Sequence, residues 1–124
     1  MTQEEKDLLL RDLCARLPYG VKIQVPYEDG SEYFDETVWE VNNEGPFYVN
    51  GWGIEYEYVK PYLFPLSSMT EEQKKEYQYI TERWMYDSSY SISDSTDWLN
   101  KNHFDYRGLI EKGLAIDATG LNIY

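Results

Sequence analysis

Cysteine and histidine are nearly absent, with one of each, Cys14 and His103. A lone thiol excludes an internal disulfide, and one Cys with one His cannot build a usual zinc site. Basic residues are missing from a whole stretch: between Lys22 and Lys60 there is no Lys or Arg. The chain carries 11 basic and 23 acidic residues, for a formal net charge of -12. Phosphate backbones repel such a surface, and the only adjacent basic pair, Lys74-Lys75, lies among acids, so direct nucleic-acid binding is not expected. Long hydrophobic runs are missing too. The opening MTQEEKDLLLRDL begins with acids, and its apolar run stops at three leucines, unlike a secretory signal. No segment approaches the length of a membrane span. These absences lead to the expectation of a soluble protein in a reducing cytoplasm.

Aromatics are abundant, with 13 Tyr, 4 Trp and 4 Phe, so the chain is expected to fold rather than stay disordered. Its 124 residues form one domain, 1-124, large enough to bury a core without staples.

Thr2 followed by Glu5 has capping-box spacing, and Leu9, Leu10, Leu13, Cys14 and Leu17 follow at helical spacing. This predicts a helix at 1-17, ended by Pro18 and Gly20, with Cys14 as a small core residue. The period then becomes two. VKIQV alternates cleanly. EYFDETVWEV alternates with Tyr33, Thr37, Trp39 and Val41 on one side and Glu32, Glu36 and Glu40 on the other. PFYVN, interrupted by GWG, and IEYEYVK add two more strands, with turns at EDGS and NNEG. Pro61 and Pro65 bar a continuing central strand.

After them, Ser68 or Thr70 caps a helix at about 69-86, with Glu71 and Lys75 paired one turn apart and Tyr77, Ile80 and Trp84 on its buried face. DSSYSISDSTDW reads as a polar, mobile loop. One short helix carries Trp98 and Leu99, and another, capped by Asp105, carries Leu109 and Ile110 and ends near Gly113. The expected fold is therefore α+β. A leading helix precedes a four-stranded antiparallel meander at 20-62, closed into an SH3-like small barrel. A helical part at 68-115, with one longer and two short helices, and a tail at 116-124 complete it.

Three stretches, LLLRDLCARLPYGVKI, VKPYLFPLSSMTEEQKKEY and WLNKNHFDYRGLIEKGLAI, resemble three blocks of a family of small uncharacterised proteins of gut anaerobic bacteria, their mobile elements and their phages. The likeness covers both ends of the chain well and residues 26-57 poorly. It implies a bacterial cytoplasm and a mobile-element setting, and it brings no catalytic residues.

Two groups of residues could carry function. In an extended NHFDY, His103 and Asp105 would point the same way, and the carboxylate could orient the imidazole as a general base. The nucleophile would then be Cys14 or a distant serine, with no motif to supply it. On this ground a small hydrolase is one reading. The opposing one places His103 in packing, Asp105 as a cap and Arg107 paired with a surface acid. The second group is acidic. Residues 22-60 contain Glu28, Asp29, Glu32, Asp35, Glu36, Glu40, Glu44, Glu55 and Glu57, and their carboxylates lack EF-hand spacing. Neither a metal site nor a cofactor is expected.

Self-repulsion of so acidic a face costs stability, and a basic partner would relieve it. The leading expectation is thus a non-enzymatic interaction module whose Glu32, Asp35, Glu36, Glu40, Glu55 and Glu57 meet a basic or nucleic-acid-binding protein. Its sharper form is a DNA mimic that blocks a defence protein. A structural or assembly role in a mobile element is the third reading.

Overall fold

The computed structural model describes residues 1-27, 32-42, 45-48, 52-53, 58-83 and 92-124. The fold is α+β, with a leading helix, a mixed sheet and later helices. Helix α1 spans Gln3–Arg16. Its start is fixed by the predicted capping box: Glu5 N–H donates to Thr2 Oγ1 at 3.1 Å, and Thr2 N–H donates to Glu5 Oε1 at 3.0 Å. The exposed Glu5 carboxyl has its pKa lowered by these bonds to Thr2. A 3₁₀ turn, Leu17–Tyr19, and the left-handed Gly20 (φ 69°) end the helix. The buried stripe is Leu9, Asp12, Leu13 and Arg16, spaced i, i+3, i+4, i+7. Cys14 is exposed, which corrects the expectation of a core thiol. Two charged residues take the inward positions, and the thiol falls on the outer side.

The strands are β1 (Lys22–Pro26), β2 (Tyr33–Asn42), β3 (Gly45–Tyr48), β4 (Trp52–Gly53), β5 (Lys60–Pro65), β6 (Phe104–Asp105) and β7 (Ile116–Asp117). Among the described residues the sheet runs β4-β3-β2-β1-β5-β6, with β7 also on β5. It is open and mixed: β1 to β4 pair antiparallel, whereas β6 and β7 each join β5 in parallel. Short pieces of the later chain extend the sheet at β5, and among the described residues it does not close into the expected antiparallel SH3-like barrel. The stretch 68-115 is accordingly not all helical, because β6 lies within it.

Prolines did not exclude β5 from the sheet. Pro61 and Pro65 sit at its second and last positions, with Pro61 facing Ile23 of β1 and Pro65 beside Asp105. A missing N–H is tolerated near strand ends. The expected turn at EDGS, most of the expected strand at IEYEY, Trp84, and part of NNEG and of the serine-rich loop lie outside the described residues.

Register decides the faces. Ile23 opposes Glu36, and Val25 opposes Phe34, and opposed residues share a face. One face therefore holds Ile23, Val25, Phe34, Glu36, Val38 and Leu63, and packs against Leu9 and Leu13 of α1 and against Leu109, Leu114 and Ala115. Full burial of Leu9 or Leu13 contributes about 1.5–3 kcal/mol each. This inverts the face expected for Tyr33, which is 62% exposed. A bulge between Val38 and Glu40 then shifts the alternation, so that Val41 packs on the core as well.

Helix α2 (Glu71–Arg83) starts at a second reciprocal cap. Gln73 N–H donates to Thr70 Oγ1 at 3.1 Å, and Thr70 N–H donates to Gln73 Oε1 at 2.9 Å. Glu71 pairs with Lys74 at 3.3 Å rather than with Lys75. Helix α3 (Ile92–Lys101) begins inside the serine-rich stretch expected to be a loop. Its Trp98 and Leu99 form a second core with Phe104, against which Phe64, Met69, Tyr77, Ile80 and Tyr106 pack. Trp98 stacks on Phe104 at 5.7 Å. The expected last helix is a series of turns, with Gly108 and Gly113 at φ 75° and 74°. Among the described residues no helix is long and apolar enough to cross a membrane.

Candidate functional site

The residues with chemical potential fall in two places. The first is a buried polar cluster between α1, the start of β1, β5 and the 103-107 segment. Asp12 and Arg16 are one helical turn apart, both fully buried, and paired at 2.9 Å through Arg16 Nε. The second oxygen of Asp12 receives Arg107 Nη1 at 2.8 Å. Arg16 Nη2 donates to the carbonyl of Phe104, tying α1 to β6. Tyr106 lies against both guanidinium groups, 5.5 Å from Arg16 and 4.5 Å from Arg107, and its hydroxyl donates to Asn100 at 2.9 Å. One carboxylate thus holds two cations, and this is why so much charge can be buried. Arg107 pairs with a buried acid of α1, not with the surface acid expected.

His103 is 8% exposed, and its backbone is left-handed, at φ 61°. The segment is therefore not the extended NHFDY in which Asp105 could orient the imidazole. Both oxygens of Asp105 are taken by backbone amides, Leu109 N–H at 3.0 Å and Ile110 N–H at 2.9 Å. Asp105 thus caps a turn rather than the expected helix, and it anchors the turn that carries Leu109 into the core. The His103 ring stacks on Tyr124, with centroids 3.7 Å apart and planes 11° apart, and among the described residues its Nδ1 has no hydrogen-bond partner. Burial, then the nearby Arg16 and Lys22 cations, push its pKa down to about 4. The ring is thus neutral at ordinary pH. Among the described residues no hydroxyl or thiol hydrogen-bonds to it, and Cys14 faces solvent.

Tyr124 and Tyr62 finish this region. The Tyr124 hydroxyl accepts from Lys22 N–H at 2.8 Å and donates to the Tyr62 carbonyl at 2.8 Å. Burial raises its pKa. The Tyr62 hydroxyl donates to Asp35 and accepts from Gln24 Nε2 at 3.3 Å. Burial, then the Asp35 bond, push the Tyr62 phenol up to about 12.

The second place is the acidic strand. Glu32, Asp35 and Glu40 are exposed on or beside β2, and Glu36 is half-buried. They do not share one face. Asp35 stands on the outer side, opposite Gln24, and Glu36 stands on the core side, opposite Ile23. Glu40 follows the bulge. Among the described residues none of the four makes an ion pair. Exposed Tyr33 is on the same side of β2 as Asp35, and exposed Tyr27 packs on Phe34 at 5.0 Å. Glu55 and Glu57 lie outside the described residues. Among the described residues no three His, Cys, Asp or Glu side chains are grouped to hold a metal ion.

Sequence reasoning named His103, Asp105 and Arg107 but missed Asp12, Arg16, Tyr62 and Tyr124, which complete the cluster. A signal for the first two exists: Asp12 and Arg16 are in helical step with Leu9 and Leu13. Tyr62 and Tyr124 reach the cluster only through long-range contacts that spacing does not encode. No protein-family model, curated protein or solved structure matches the chain.

Proposed function

We propose that the protein is a non-enzymatic, acidic interaction module that presents the β2 carboxylates to a basic protein. One observation carries this reading: Glu32, Asp35, Glu36 and Glu40 line a strand that, among the described residues, offers them no cation within the protein. Exposed carboxylates such as Glu32 and Glu40 beside exposed tyrosines suit an interface, where tyrosine is enriched and complementary charge steers encounter. The sharper form is a DNA mimic. The exposed carboxylates Glu32, Asp35 and Glu40 stand in for phosphates and occupy the cleft of a nucleic-acid-binding or defence protein. In this reading the action belongs in a bacterial cytoplasm, the setting that the resemblance to proteins of mobile elements and phages implies.

Reversing the charge of Glu36, Glu40, Glu55 and Glu57 to Lys tests the reading. Binding to the captured partner is expected to fall at least about tenfold, since repulsive juxtaposition at an interface costs several kcal/mol. Unchanged binding would contradict it. A defined oligomer of the chain alone, with no partner, would instead favour the structural role.

A further inference from the structure

We propose that the socket holding Tyr124 is a phenol-binding site, occupied in this conformation by the chain's own side chain. Its grip is on the ring and the hydroxyl. His103 stacks on one side of the ring at 3.7 Å, Phe64 meets it tilted at 6.0 Å, and Lys22 Nζ lies 6.0 Å from its centroid. The hydroxyl is read in both senses, by a main-chain donor at Lys22 and a main-chain acceptor at Tyr62, each at 2.8 Å. A planar ring with one hydroxyl that both gives and accepts a hydrogen bond meets these demands, and a purely apolar ring does not. Burial favours the neutral phenol over the phenolate.

The socket is fixed independently of its occupant. Lys22 and Tyr62 belong to strands paired through Ile23–Pro61 and Gln24–Lys60. His103 is held by its own backbone, with its carbonyl accepting from Phe64 N–H at 2.8 Å and its N–H donating to Asn100 at 3.1 Å. Pre-organisation of this kind lowers the cost of binding. The connecting segment contributes little. Residues 119-122 are exposed, and their bonds are local, from Leu121 N–H to Ala118 and from Thr119 N–H to Asp117. Among the described residues, only the Ile123 carbonyl is held from outside the segment, by Lys22 Nζ at 2.8 Å. Tyr124 is 42% exposed, so the socket has an open side through which a para substituent can leave. The ligand class is a neutral para-substituted phenol, and Tyr124 is its tethered competitor.

The test uses Tyr124→Ala in the full chain and follows thermal stability and amide signals with p-cresol, toluene and N-acetyltyrosine amide. Saturable p-cresol binding with a Kd on the order of 1 mM is expected for so small a ligand. Toluene should bind at least about fivefold more weakly, the effect of losing a hydrogen bond. The wild type should not respond at the same concentrations. Similar affinity for p-cresol and the tyrosine amide would support recognition of the phenol alone. Binding of the amide only would overturn this in favour of a peptide site. Absence of saturable binding, or equal binding of toluene, would overturn it outright. Should Tyr124→Ala not fold, Tyr124→Phe keeps a ring in the socket without its hydroxyl. Millimolar p-cresol should then displace that ring and move the Lys22 and His103 amide signals, and unmoved signals would contradict the proposal.

Discussion

Asp12 is the residue on which most of the buried charge depends, because Arg16 and Arg107 both bond to it. Removing one partner of a buried pair costs far more than the pair contributes, since the remaining charge is left without compensation. Asp12→Ala is expected to lose about 3–5 kcal/mol of stability, read as the urea midpoint. The double variant Asp12→Leu with Arg16→Met should cost less than Asp12→Ala, since both buried charges go together. An additive loss would contradict the network. His103 has a different signature. Its folded-state pKa of about 4 lies below the ordinary imidazole value of 6.5. On acidification the unfolded chain therefore takes up the proton first. The stabilisation from the neutral ring is complete above about pH 6.5 and is lost as pH falls toward 4. Asn tolerates a left-handed backbone, so His103→Asn isolates the titration. Between about pH 7 and pH 4.5 the wild type should lose more of its urea midpoint than His103→Asn does. Equal losses would show that the ring does not couple to folding. None of this burial was legible by hydropathy. An acid and a base one turn apart read as a solvent-side pair, and only their step with Leu9 and Leu13 marks them as buried.

At the scale of elements, local chemistry was legible and long-range pairing was not. The Thr2–Glu5 box starts α1, and Thr70 starts α2, because caps are encoded within a few residues. Thr70→Ala should lower stability by about 1 kcal/mol, measured by thermal or urea unfolding. The Asp105 cap is buried and serves two amides, so Asp105→Ala should cost more, about 2 kcal/mol or above. A smaller loss at Asp105 than at Thr70 would contradict the ranking. The faces of β2 were misread because alternation counts residues, and a bulge after Val38 breaks the count. The course of β5 was missed because its prolines argue against a strand, yet both sit near its ends. β6 and β7 are two-residue segments with no periodicity to read, and β5 alone defines them.

For the whole molecule, the charge distribution on which the proposed function rests was legible in the sequence from the absence of Lys and Arg between Lys22 and Lys60. The division of Asp35 and Glu36 between two faces was not legible, because it depends on the register with β1. β2 is flanked by β1 and β3 and its inner side covers the core, so a partner meets the exposed Glu32, Asp35 and Glu40 rather than the half-buried Glu36. The direct test is affinity capture of the tagged chain from its host lysate across a salt series, in parallel with the variant reversed at Glu36, Glu40, Glu55 and Glu57. The account predicts a single stoichiometric basic partner that leaves as salt rises and is absent from the reversed variant. Capture that is indifferent to salt and to the four reversals, or no capture at any salt, would contradict it.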